Sequence, residues 1–434
     1  MTNKRKRNLC RILLFCTVMS LTACDMTPIP VAELPSGKDN PLPDPDEMPS
    51  FNVCIQREMQ RNYLWNDSID SGLLNAEAAE TYDSQELFYD MLVKQDNHSF
   101  IRDYAFHLDK SRVQWEKKDS GAVFKPDRYG SYYRVYVSRV MPDSPLWTEG
   151  IRRGDVLLRV NGENAIRKLF HGELYAALNQ DDVPLTFVRH ESDTVTLTLN
   201  RTTYPVIPDI FRDVYPISDT ESAGYLVCTR FDVMPGTGDA GERLFGAFAG
   251  TGIRSLILDL RYNAGQSLQA AAEAAAMLLP ESCTDSVVLL RYAVNKTLQE
   301  AGVSRVLKVR RRPDALNLDR LVFITSKATA AAAEILIQGL KAYIPDVRTV
   351  GSATLGNVFL ADTLYFPEPG NARQLPPEWA YAPVVAVAAG PDGIPLDKKG
   401  IPADIPCDDD LRHDFGPEEA CLKAAIQYLK TSLP

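Results

Sequence analysis

Arg254-Ser255-Leu256-Ile257-Leu258-Asp259-Leu260 has at its centre three consecutive apolar residues, Leu256-Ile257-Leu258, too few for an ordinary helix and lacking the polar alternation of a half-exposed strand. Such a run reads as a strand buried on both faces. Helical patterns flank it, near Ala240 to Gly250 before and Leu268 to Leu279 after. Gly224 to Phe231 reads as a preceding strand. Arg320 to Thr325 reads as a following one, leading into a helix over Ala328 to Tyr343 and then a strand over Val347 to Gly351. Strands alternating with helices predict an α/β core with a largely parallel sheet over residues 205–434.

Upstream the period changes to two. Tyr133, Val135 and Val137 alternate, Asp155 to Val160 is ended by the turn pair Asn161-Gly162, and Leu185 to Phe187 and Val195-Leu197-Leu199 alternate after one helix at about 168–179. Residues 118–204 are therefore a compact β-rich module. Before it, Phe51, Ile55, Met59 and Tyr63 recur at helical spacing, and a second helix runs near Ser84 to Val93, giving a small helical N-terminal domain over 50–117. Between residues 24 and 49 lie Pro28, Pro30, Pro35, Pro41, Pro43, Pro45 and Pro49, with little that could pack, so this segment is an extended tether.

Residues 1–23 read as a signal peptide. Lys4-Arg5-Lys6-Arg7 and Arg11 precede an apolar run to Leu21, too short for a membrane span. Leu21-Thr22-Ala23-Cys24 resembles the bacterial lipobox, which implies cleavage before Cys24, a lipid on its thiol, and a membrane-anchored protein of the cell envelope facing a non-cytoplasmic compartment. The composition, 45% hydrophobic and 24% charged, excludes a disordered or fibrous chain. The formal charge of -10 becomes more negative once the basic leader is removed, which argues against nucleic acid as a partner. Of the eight cysteines, Cys54, Cys228, Cys283, Cys407 and Cys421 remain, and Cys407 and Cys421 are the pair best placed to bridge. No spacing suggests a metal site, and no cofactor is expected. His98, His107, His171, His190 and His413 fall in no catalytic motif.

Val140-Met141-Pro142-Asp143-Ser144-Pro145, then Glu149-Gly150-Ile151-Arg152-Arg153-Gly154-Asp155-Val156-Leu157 and Val160-Asn161-Gly162 resemble a PDZ domain of the bacterial protease-associated type. The resemblance implies that a polypeptide C-terminus adds as a strand to a sheet edge while loop amides hold its carboxylate. Here that loop would be Ser120 to Phe124, with Gly121, Ala122, Val123 and Phe124 binding the peptide. A rigid spacer that binds nothing is the alternative.

Four segments in order, Gly224-Tyr225-Leu226-Val227, Leu256 to Asn263, Thr325 to Leu336 and Val350 to Asn357, resemble the C-terminal processing peptidases, or tail-specific proteases. Tyr63-Leu64-Trp65-Asn66 and Gly400-Ile401-Pro402-Ala403-Asp404-Ile405 extend the likeness to a lipoprotein branch. The family implies a ClpP/crotonase-like core and a Ser-Lys dyad, in which a serine at a helix start attacks the peptide carbonyl and a neutral lysine takes its proton. Anchored on Glu334, Lys327-Ala328-Thr329-Ala330-Ala331-Ala332-Ala333-Glu334 puts Ala331 at the nucleophile position, and Gly351 to Asn357 puts Asn357 at that of the base. Neither side chain can do the chemistry. The loop Asn263-Ala264-Gly265-Gln266 keeps one glycine, so the amides of Gly265 and Ala332 would form what remains of an oxyanion site. The expectation is a pseudopeptidase that binds polypeptide C-termini or extended segments. Its rivals are a live serine-type peptidase with a displaced nucleophile, Thr329 acting with Lys327 or Lys341, and a structural subunit of an envelope complex.

Overall fold

The computed structural model describes residues 49–111, 114–189, 192–232, 239–369 and 375–431. The leader, Cys24, the tether before Pro49 and His190 lie outside the described residues. Ser50 caps helix α1 (Phe51–Asn62) by accepting from the Val53 amide, and the helix buries Phe51, Ile55 and Met59. Helices α2 (Ala76–Thr81) and α3 (Ser84–Asp90) follow in this region, and a further helix spans Tyr104–Ser111. Strand β1 (Phe100–Asp103) then leaves it to pair antiparallel with a core strand at Trp379–Ala382, with Ile101 opposite Tyr381. Tyr381 is buried in the same apolar cluster as Phe51, Ile55, Met59 and Phe88, so the N-terminal helices are built onto the core.

The β-rich module is an antiparallel sheet in spatial order β2 (Ala122–Tyr129), β3 (Tyr132–Val140), β4 (Val156–Val160), β5 (Val183–Arg189) and β6 (Asp193–Leu199). The single helix expected near 168–179 is two, α4 (Ala165–Phe170) and α5 (Leu174–Leu178), because the chain turns at Gly172 with φ +74. They close an apolar core around Phe124, Val137, Leu157, Leu174 and Phe187.

In the core, β7 (Asp209–Pro216) runs antiparallel to β8 (Ser222–Cys228), followed in parallel by β9 (Ser255–Asp259). Helix α6 (Ala240–Phe245) lies between β8 and β9 in sequence, and α7 (Leu268–Leu278) follows β9. Strands β10 (Val287–Val294) and β11 (Arg305–Val309) come next, then β12 (Arg320–Thr325), helix α8 (Ala332–Leu340) and β13 (Asp346–Gly351). The rest comprises β14 (Phe359–Ala361), β15 (Leu364–Phe366), β16 (Trp379–Ala382), β17 (Val384–Ala389), β18 (Ile405–Pro406) and the terminal helix α9 (Ala420–Thr431).

The main sheet has six strands in order β7-β8-β9-β12-β13-β18, parallel beyond the first pair. All five residues of β9 are buried, and alternation sorts them: Leu256 and Leu258 join the cluster of α6, α7 and α8, while Ile257 joins that of α9. A four-stranded sheet, β11-β10-β17-β14, covers the other side of α7 and α8.

The expected Cys407–Cys421 bridge is absent: both thiols are free, and Cys421 Sγ lies 3.3 Å from the Asp408 carbonyl, a weak donor satisfied without sulfur–sulfur bonding. Among the described residues no helix is long and apolar enough to cross a membrane, and no cluster of three or more metal-ligating side chains occurs.

Candidate active site

Helix α8 starts at Ala332 rather than at the expected Ala328. The residues between are drawn into the neighbouring loop. Thr329 Oγ1 donates to the Leu260 carbonyl at 2.7 Å and accepts from the Ser326 amide at 3.0 Å, and the Ala330 amide donates to the Asn263 carbonyl at 3.0 Å. A threonine bonded in this way offers the backbone an alternative to helix. Ala331 then turns the chain with φ 50 and ψ -118, outside the ordinary regions for an L-residue.

Glu334, 1% exposed, organises the site. As third residue of α8 its Oε2 accepts from the Ala331 amide at 2.9 Å, the glutamate half of a capping box; the other half is missing because a methyl cannot accept a hydrogen bond. The same Oε2 accepts from the Asn357 amide at 3.0 Å. Oε1 accepts from the Gly356 amide at 2.7 Å and from the Thr354 hydroxyl. Burial pushes the carboxyl above its usual range while these donors pull the other way. One carboxylate oxygen thus accepts from the main-chain amides of both Ala331 and Asn357. Asn357 Oδ1 is buried without a hydrogen-bond partner among the described residues.

The other hydroxyls and lysines near the helix start are engaged. Thr325 Oγ1 donates to the Ser352 carbonyl at 2.8 Å, Ser326 Oγ donates to the Arg261 carbonyl, and Lys327 Nζ donates to the Thr354 carbonyl at 3.0 Å. Lys341 lies at the opposite end of α8.

Gly265 and Ala332 do come together. Gly265 has φ +65, and a Cβ there would stand 2.4 Å from the Ala332 nitrogen and 2.2 Å from the Ala330 carbonyl oxygen. The Gly265 amide, however, donates to Asn263 Oδ1 at 2.8 Å. The expected oxyanion role for Gly265 is therefore corrected: its donor is spent inside its own loop. Gln266 Oε1 accepts from the Phe231 amide at 3.2 Å and draws the loop toward the end of β8.

In the β-rich module the expected carboxylate loop is not open either. Gly121, with φ +79, donates its amide to Asp119 Oδ1 at 2.7 Å, and the Ala122 amide lies 3.4 Å from Ser120 Oγ. Ser138 Oγ donates to the Val123 carbonyl at 3.0 Å. The Phe124 amide donates to the Tyr175 hydroxyl at 3.1 Å, which in turn donates to the Phe124 carbonyl at 3.3 Å. Asp119 and Tyr175 carried no motif in the sequence.

A crossover α/β core with a strained turn before α8, joined to a small antiparallel module, defines a serine-peptidase-type fold. Residues 222–407 match Peptidase family S41, and residues 136–189 match a PDZ domain, so the core and the β-rich module are related to those of the C-terminal processing peptidases. It is 25% identical over 278 residues to a CtpA-like serine protease of Staphylococcus epidermidis, covering 63% of this chain and 50% of that one. With a chloroplastic C-terminal processing peptidase of Tetradesmus obliquus it shares 25% identity over 305 residues, 65% of this chain and 58% of the relative. The chain thus spans little more than half the length of these relatives. The solved structure of an S41 protease from Bacteroides fragilis superposes with a TM-score of 0.65 at 22% identity, over 91% of this chain and all of that one, which establishes the shared fold.

Proposed function

We propose that this chain is an S41-family pseudopeptidase of the cell envelope, held to a membrane by a lipid on Cys24, that binds polypeptide C-termini or extended segments without cleaving them. One observation supports the reading: the main-chain amides of Ala331 and Asn357 share Glu334 Oε2, and the two positions that the family resemblance assigns to nucleophile and base carry a methyl and a neutral amide. A dyad lacking both members has no activated nucleophile. The displaced-nucleophile alternative is disfavoured because Thr329 Oγ1 is buried and its proton is directed to the Leu260 carbonyl.

Incubation of the purified protein with a denatured polypeptide is expected to give retention and no new fragments. Ala331→Ser and Asn357→Lys should each stay inactive, the first lacking a base and the second a nucleophile. The double variant should cleave slowly, because losing one oxyanion donor costs about 10²- to 10³-fold and the Gly265 amide is already committed. Cleavage by the natural chain that survives Ala331→Gly and Asn357→Ala but disappears in Thr329→Ala would place the nucleophile elsewhere and end this reading. The anchor is tested separately by fractionation. Cys24→Ser should move the protein from membrane to soluble fractions, since an acyl chain contributes about 0.8 kcal/mol per buried methylene; a variant that stays wholly on the membrane argues for another attachment.

A further inference from the structure

Strand β2 ends its sheet, so one of its edges has no strand partner among the described residues. Strand addition needs the amides and carbonyls of that edge and a set of free loop amides for the terminal carboxylate. Here they are taken in turn. Asp119, itself held by the Tyr204 hydroxyl, puts a carboxylate oxygen on the Gly121 amide, where a ligand's terminal carboxylate would sit. The Ala122 amide has Ser120 Oγ, and Tyr175, from α5, both accepts from the Phe124 amide and donates to its carbonyl. Two residues further along the same edge, Pro126 has no amide proton to offer. Beyond it the Arg128 carbonyl accepts from Arg412 Nη2 of the core at 3.2 Å. Five successive features close one edge, and two of them, the carboxylate of Asp119 and the hydroxyl of Tyr175, imitate the groups of an incoming peptide.

We propose that the PDZ groove is self-occupied and that Tyr175 is its gate, so that a polypeptide C-terminus enters only when Tyr175 swings out and the terminal carboxylate displaces Asp119. The inference rests on the capture reading above and adds its regulation. Tyr175 is 42% exposed, so its ring borders solvent into which it can swing, whereas Phe124 is 4% exposed and stays in the core. A groove that is open for only a fraction of the time binds more weakly by that fraction. Two hydrogen bonds to Tyr175 have to be exchanged for two to the peptide, so their removal is expected to tighten binding on the order of tenfold.

The test uses the full chain and a fluorescein-labelled decapeptide with apolar last residues, beside its C-terminally amidated twin. Fluorescence anisotropy should show weak binding to the natural protein, with little difference between the peptides. Tyr175→Ala should bind the free-acid peptide about tenfold tighter and lose that gain on amidation, and Asp119→Ala should strengthen the carboxylate preference. Tyr175→Phe keeps the ring and the fold, and hydrogen exchange in this variant should speed up at the Phe124 amide by about tenfold while neighbouring strand amides stay protected. If the natural chain already binds the free acid as tightly as Tyr175→Ala does and discriminates against the amide, the groove is open and the gate is wrong while capture stands. If no form binds either peptide, capture by this module falls, and the gate falls with it. An unchanged Phe124 amide in Tyr175→Phe also overturns the gate.

Discussion

Ala331 holds the backbone of a sharp turn into helix α8, and at the position that we propose to be a vacated nucleophile site it carries only a methyl. Its φ of 50 and ψ of -118 are of the kind that cost a non-glycine residue about 1–3 kcal/mol. The turn persists because its surroundings over-determine it. The Glu334 carboxylate holds its amide, Asn263 holds the amide before it, and Gly265 is packed against the nitrogen after it. On the pseudopeptidase reading the strain serves no chemistry, so releasing it should cost nothing in function. Ala331→Gly is therefore expected to stabilise the protein by about 1 kcal/mol, less than the full strain because glycine also loses more backbone entropy on folding. A urea midpoint raised at unchanged slope is the expected readout. A lowered midpoint would mean that the methyl contributes packing worth more than the strain.

At the scale of elements, what the sequence made legible follows the range of the interactions. Strand β9 was readable because burial on both faces leaves a local mark, Leu256-Ile257-Leu258 without a polar break. Glu334, from which the positions of Ala331 and Asn357 were counted in the sequence, does bond the main chain at both. The start of α8 was misplaced by four residues, since Ala328, Ala330 and Ala331 are good helix formers and the competitors, the carbonyls of Leu260 and Asn263, lie some 69 and 67 positions away in the chain. The four-stranded sheet left no signal of its own. Arg291 of β10 pairs with Ala389 of β17, far along the chain and without a tight turn between them. The closing of the PDZ edge was invisible for the same reason, because Tyr175 reaches Phe124 across 51 positions. The helix break at Gly172 is the exception, a local signal that periodicity alone overrode.

On the scale of the whole molecule, the PDZ module and the core meet through buried charge. Arg153, 3% exposed, extends from the module and donates to the Tyr262 hydroxyl at 2.6 Å, to Asp409 Oδ1 at 2.8 Å and to the Asp410 carbonyl at 2.7 Å. Arg261, 1% exposed, donates to Asp259 at 2.6 Å, Glu419 at 2.5 Å and Asp409 at 3.1 Å. Gly154 lets the module approach this closely, since a Cβ there would stand 2.8 Å from the Arg412 carbonyl oxygen. Asp409 is the shared partner of both guanidinium groups and of Lys125. Burial works against its charge, but Arg153, Arg261 and Lys125 together outweigh it and hold the carboxyl well below the usual carboxylate range. A carboxylate depressed in this way contributes stability that is present in full above its unfolded value of about 3.9 and is lost as pH falls below that toward its folded value. Asp409→Asn keeps the shape, removes the charge, and leaves two buried guanidinium groups short of a counter-ion. Breaking a buried pair in this way costs about 3–5 kcal/mol, and the lower end is expected because Asp409 retains 20% side-chain exposure. Urea unfolding at pH 7 should show that loss. Between pH 5 and pH 3 the natural chain should lose stability more steeply than Asp409→Asn, whose partner no longer titrates. Equal slopes for the two proteins over that interval would mean that Asp409 is not the titrating group that ties the module to the core.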